Sequence, residues 1–165
     1  MRGLGIQFTP LPSEYRGGGC STIDTIKLLE IGVPTTNLGA MSCPLAKNFA
    51  AWARFAVLPA ARRYFGTEAM RIETMGTYSC RSINGSGRLS EHAFANAVDV
   101  SGFVLADGRR ITVESGWNGS IEEREFLRAL AASACRRFGT VLGPDYNAAH
   151  YNHFHFDMST NRLCR

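Results

Sequence analysis

The four histidines of the chain fall into two short clusters with the spacing of metal-ligand sets. His92 lies in Ser90-Glu91-His92-Ala93-Phe94-Ala95-Asn96-Ala97-Val98-Asp99, a histidine and an aspartate with six residues between them. The others stand together in His150-Tyr151-Asn152-His153-Phe154-His155. Imidazole used only for packing would be scattered. Two neutral ring nitrogens and one carboxylate form the ligand set of open zinc sites, whose fourth position holds water. Two histidines are then left over, and imidazole is the side chain suited to carry a proton near neutral pH beside such an ion.

Those residues need a scaffold that brings distant segments together. Ala97 to Leu105 reads as a strand carrying Asp99, with His92 on the loop before it. Asn152 to Met158 reads as the final strand, and in a strand side chains two apart share a face, so His153 and His155 point the same way. A strand-borne Asp99 in the apolar run Ala97-Val98-Asp99-Val100 is costly to bury alone, and a cation removes that cost. The plainer alternative is a turn cap or an arginine pair.

The other elements follow from local patterns. Ser42-Cys43-Pro44 starts a helix whose apolar residues Leu45, Phe49, Trp52, Ala53 and Ala56 recur at helical spacing. Pro59 should kink or restart it and Gly66 end it. Ile23 to Ile31 suits a peripheral strand and Met70 to Ser79 another, followed by a polar loop from Ser82 to Arg88. Asp107-Gly108 supplies hairpin turn chemistry between the strand from Ala97 and a partner at Arg110 to Glu114. Ser120-Ile121-Glu122-Glu123 is a capping box for a helix through Phe126, Leu127, Leu130, Ala134 and Phe138, closed by Gly139. The sum is an α+β domain, a small antiparallel sheet backed by helices. Residues 1–19, with prolines and Gly17-Gly18-Gly19, are expected to be a flexible tail, and 20–165 a single domain.

Composition narrows the function classes. With 165 residues, 45% hydrophobic and 19% charged, the chain can bury a substantial core. No stretch approaches the roughly 18 apolar residues of a membrane span. Net charge is +4, but the arginines come in pairs, Arg62-Arg63, Arg109-Arg110 and Arg136-Arg137, without interleaved aromatics. That argues against nucleic acid and is compatible with a carboxylate-rich polymer. Five cysteines, Cys20, Cys43, Cys80, Cys135 and Cys164, include no C-x-x-C. Two disulfides and one thiol is the simplest account, implying an oxidising compartment, with buried cytosolic thiols as the alternative. Cys20 with Cys43 is the preferred first pair. Met1-Arg2-Gly3-Leu4-Gly5 shows no cleavable signal, so an export signal or a longer N-terminal region is expected outside this sequence.

Ser-x-His-x6-Asp followed far downstream by His-x-His resembles the LAS metallopeptidases: lysostaphin-type enzymes, D-Ala-D-Ala carboxypeptidases and dipeptidases, and the hedgehog signalling domain. The closer likeness is to the extensin-like C-terminal domain family. It is carried by Ser90-Glu91-His92-Ala93, Asn96-Ala97-Val98-Asp99-Val100 and His153-Phe154-His155-Phe156-Asp157. Tyr78-Ser79-Cys80-Arg81 and Phe138-Gly139-Thr140 through Asp145-Tyr146-Asn147 support it. The resemblance implies a LAS/hedgehog-like fold and zinc held by His92, Asp99 and His155. It implies His153 as general base or transition-state stabiliser and His150 as a further catalytic histidine. It also places Arg81 near the substrate carbonyl or carboxylate and Ser90 in contact with substrate. For the last two the plain readings are a surface arginine and a turn cap.

By the same resemblance the chain is expected to be a zinc-dependent hydrolase, cutting peptide bonds of bacterial peptidoglycan in the periplasm or outside the cell, as a monomer. A non-catalytic metal-bearing domain that binds a wall polymer or protein is the alternative, and a site closed by His153 as fourth ligand would also be structural. Asp145 and Asp157 are expected either to hold ligand imidazoles or to serve turns and surface. Trp117 and Tyr151 suit a substrate groove or ordinary packing. Cys80, beside Arg81, is expected to be disulfide-bonded rather than nucleophilic.

Overall fold

Alternation over residues 154–157 and 97–100 sets the architecture around the site, and an irregularity between Val100 and Gly102 brings Phe103 onto the core face. The computed structural model describes residues 5–83 and 86–165. Strand β7 (Ala97–Leu105) is the centre of the larger sheet, flanked by β6 (Ala69–Gly76) and β10 (Phe154–Asp157). β9 (Thr140–Leu142) and β11 (Leu163–Cys164) extend it beyond β10, and β8 (Arg110–Thr112) pairs with the far end of β7. All these pairings are antiparallel except β11 with β9. In β10, Phe154 and Phe156 face the core, where Trp117 and Trp52 meet them edge-on at 5.7 and 5.0 Å. His155 and Asp157 therefore point to the opposite face. Register puts His155 directly across from Asp99. A slip of one residue would turn both inside out.

Helices cover the core face. α1 (Cys43–Trp52) begins at Ser42, whose hydroxyl accepts from Leu45 N, and runs through a π-helical segment, Ala53–Val57, into α2 (Leu58–Phe65). Pro59 sits in the first turn of α2, so the expected restart occurs there with the axis adjusted by the π segment rather than a break. Gly66 closes α2 at φ 67°, a left-handed position natural for glycine. α4 (Ile121–Cys135) carries the full Ser120/Glu123 capping box. Trp52 is fully buried between these layers, donating Nε1–H to the Leu130 carbonyl at 3.1 Å. The short helix α3 (Val113–Gly116) takes the place of the second half of the expected strand Arg110 to Glu114, because the Thr112 hydroxyl caps it.

The fold is thus α+β, as the patterns require. Two expectations are corrected. Gly139 does not close α4, which ends at Cys135; a Cβ at 139 would lie 1.7 Å from the Ser159 carbonyl oxygen, so glycine is needed for the close approach of two chain segments. The disulfides join Cys20 to Cys80 and Cys135 to Cys164, leaving Cys43 as an exposed thiol. Cys43 instead occupies the first turn of α1, its sulfur toward the Asp24 carbonyl.

A smaller sheet joins β1 (Gln7–Pro10), β4 (Thr25–Glu30) and β5 (Met41–Ser42), while β2 (Glu14–Tyr15) pairs with β3 (Ser21–Thr22). Within the segment expected as a tail, β1 is exposed yet laddered to β4, and Ile6 joins the core. Of the expected polar loop, Asn84 and Gly85 lie outside the described residues; on either side Ser82 bridges Leu89.

The Cys20–Cys80 bridge closes a separation of 60 residues. Replacing both by serine should lower unfolding free energy by about 2–4 kcal/mol in urea titrations, whereas Cys43→Ser should change it by less than about 0.5 kcal/mol.

Candidate metal centre

Each of the three expected ligands reaches the site from a different element. Asp99 comes from near the start of β7 and His155 from β10, on the face turned away from the helices. His92 comes from a 3-10 turn, Glu91–Phe94, opened by Ser90, whose hydroxyl accepts from His92 N at 3.3 Å. The turn closes through Ala95 at φ 53°, fully buried, which swings the chain into β7. Asn96 fixes this turn from three sides. Its carboxamide donates to Glu91 Oε2 at 2.6 Å and accepts from the Ser42 hydroxyl at 2.7 Å, and its carbonyl accepts from Met158 N.

The ligand atoms form a tight triangle. His155 Nδ1 is 2.9 Å from Asp99 Oδ1, His92 Nε2 is 3.1 Å from the same oxygen, and the two nitrogens are 3.2 Å apart. All three residues are buried. The outer ring atoms settle what the inner ones carry. His92 Nδ1 faces the Thr77 carbonyl at 3.2 Å and His155 Nε2 faces Asp157 Oδ2 at 3.0 Å, both pure acceptors, so these nitrogens hold the protons. In the neutral rings the inner nitrogens are then bare lone pairs, aimed with a carboxylate oxygen at one point. With a cation this is a ligand set; without one, a proton on His155 Nδ1 shared with Asp99 Oδ1 takes the cation's place.

The residues fit zinc. Bonds of about 2.0–2.1 Å to nitrogen and oxygen give tetrahedral edges near 3.3 Å, close to the triangle found here. His153 stands outside the triangle, its Nε2 3.8 Å from Asp99 Oδ1, as expected of a neighbour rather than a fourth ligand.

Electrostatics separate the histidines. Burial opposes charge on His155, but hydrogen bonds to Asp157 and Asp99 outweigh it and push its pKa up to about 9. Burial would likewise raise Asp99, yet hydrogen bonds with His155 and His92 hold its carboxyl far below the usual range. His150 is pushed down to about 4, first by burial and then by His153 and His155, with Arg81 adding to the effect. His153 is lowered first by burial, against the pull of Asp99, with His155, His92 and Arg81 adding to the lowering. His150 and His153 are therefore neutral at pH 7 and free to accept protons.

The remaining expected residues divide. Arg81 is exposed but close enough for its charge to act on His150 and His153; it is held by its carbonyl accepting from Ser90 N at 3.0 Å. Ser90 is buried, and its oxygen caps the His92 turn. Asp157 holds the His155 ring, whereas Asp145 accepts from Trp117 Nε1 at 2.8 Å and does not touch a histidine. Trp117 packs against Phe154, and Tyr151 is exposed.

Sequence reasoning missed three orienting groups: Asn147 Oδ1, 2.7 Å from His150 Nδ1; Asn152 Oδ1, 2.8 Å from His153 Nδ1; and the Thr77 carbonyl. The two asparagines sit one and three residues before their histidines, a spacing that was available to read. A backbone carbonyl leaves no mark in a sequence.

The family described as extensin-like protein C-terminus matches the chain over residues 1–165, and the chain belongs to that family. No curated protein and no solved structure matches it.

Asp157→Asn should weaken metal binding about 10–100-fold in chelator competition, because the ring of His155 loses the carboxylate that fixes its proton on Nε2. The metal-free protein should also lose stability as pH rises from about 6.5 towards 9. Its folded His155 titrates near 9 and the unfolded one near 6.5, so the folded state binds more protons across that window. Metal-loaded protein should not follow this trend, since binding requires the bare nitrogens. Thermal melts at stepped pH, with and without chelator, measure both.

Proposed function

We propose that the chain is a zinc-dependent peptidase of the LAS type, acting on peptide bonds of bacterial peptidoglycan. One observation carries the reading: two imidazole nitrogens and a buried carboxylate oxygen converge within 3.2 Å of one another, beside two further histidines kept neutral. A purely structural zinc site closes its fourth position with a protein ligand, and His153 is not among the side chains whose ligand atoms converge here. The substrate class rests on the likeness of the Ser-x-His-x6-Asp and His-x-His segments to wall peptidases. Two disulfides are consistent with a location outside the cytoplasm, here the periplasm or beyond. No helix among the described residues is long and apolar enough to cross a membrane.

A divalent cation at this triangle would supply Lewis acidity, polarising a carbonyl and bringing the pKa of water towards about 7, so that no serine or cysteine nucleophile is required. The chain's own residues do the rest. His153, hydrogen-bonded to Asn152 through Nδ1, presents Nε2 as the base that takes the proton of the attacking water and returns it to the leaving amine. Arg81 faces the negative charge that develops on the carbonyl oxygen. His150, locked by Asn147, adds a second neutral imidazole at 5.2 Å from the ring of His153. Asp157 and the Thr77 carbonyl keep the ligand rings in the required tautomers.

His153→Ala should keep one equivalent of zinc and lose at least about 100-fold in turnover, while His155→Ala should lose the metal itself. Metal analysis with digestion of defined muropeptides, with and without chelator, reads both. Zinc bound at one equivalent with no cleavage of any crosslinked muropeptide would turn the assignment to a metal-bearing wall-binding domain.

A further inference from the structure

A second cluster of charge lies away from the metal ligands. The C-terminal end of α4, the segment Arg136–Gly139, the turn Met158–Arg162 and β11 enclose a cleft of about 350 Å³. Arg136, Arg137 and Arg162 line it together with Ser159 and Thr160, and no acidic residue does. None of these arginines has a carboxylate partner. Elsewhere in the described residues the surface is differently arranged: Arg16, Arg62, Arg71, Arg109 and Arg110 each pair with an acidic side chain, and Arg63 and Arg128 lie over aromatic rings. Arg81, Arg88 and Arg165 also lack a carboxylate partner among the described residues, but three such guanidinium groups meet at this one concavity.

Two features set this cluster apart from a solvated basic face. Arg137 Nε is buried with no hydrogen-bond acceptor in the protein, and buried donors are normally satisfied. The walls are also held together: the Cys135–Cys164 disulfide ties the end of α4 to β11, and Leu163 N donates to the Gly139 carbonyl. The negative end of the α4 dipole favours Arg136 and Arg137. It accounts neither for Arg162, which lies outside the helix, nor for the missing acceptor at Nε.

We infer that the Arg136–Arg137–Arg162 cleft is a second ligand site, for an oxyanion: a carboxylate or phosphate group presented to the guanidinium forks with the Ser159 and Thr160 hydroxyls alongside. The planar fork of arginine matches the oxygens of both groups. A disulfide-braced cleft needs little reordering to bind, so a small anion suffices. The cleft contains no metal ligand and the inference does not rest on the chemistry proposed at the triangle, although Ser159 N donates to the Asp157 carboxylate that holds the His155 ring.

Titration of metal-loaded wild-type protein with inorganic phosphate and, separately, acetate at constant ionic strength tests this, followed by the Arg137 Nε–H resonance. A saturable shift is expected with at least one of them, phosphate alone or acetate alone naming the group preferred. Arg137→Gln/Arg162→Gln should weaken that binding at least tenfold while Arg124→Gln leaves it unchanged. Anion binding at the metal centre would not distinguish these variants. No saturable shift with either anion, or equal affinity in the double variant measured by calorimetry, overturns the site.

Discussion

The placement of Asp99 governs this molecule. A carboxylate on a central strand, buried and ionised, is an expense that the fold must offset locally. It does so by register: β10 sets His155 opposite, and the 3-10 turn before β7 returns His92 to the same oxygen. Everything near the site serves this convergence. Ser90 caps the turn, Ala95 accepts a left-handed backbone to close it, and Asn96 binds turn, helix start and the end of β10 into one unit.

The two faces of the sheet divide the work. Phe154 and Phe156 alternate with His155 and Asp157, so the strand that anchors the aromatic core also delivers ligand and orienting group. Rotamers and register of the polar face are then fixed by packing on the other, which is how a site gains sub-ångström placement without a rigid loop. Around the triangle a gradient of charge develops: His155 favours the proton, while His150 and His153 are driven neutral by burial. Chemically similar rings are thereby given different tasks.

Much of this was legible in the residues. Ala97 to Leu105 reads directly as a strand, the Ser120/Glu123 box and the Ser42 cap mark helix starts, and histidine spacing alone singles out the site. These signals are local and short-ranged. What failed depends on encounters between distant segments. Gly139 looks like a helix terminator until Ser159 is seen pressed against it, and Cys43 is as plausible a partner for Cys20 as Cys80 until the chain path is known. Asp145 was no more distinctive than Asp157; only strand pairing shows which carboxylate faces an imidazole.

The separation of the ligands along the chain has a kinetic corollary. Asp99 and His155 are 56 residues apart and His92 and His155 are 63 apart, so the triangle exists only once long-range strand pairing is complete. A cation bound at the finished triangle would therefore slow escape from the native state more than it speeds folding. With a cation bound, the centre would in this sense be a latch on the folded chain.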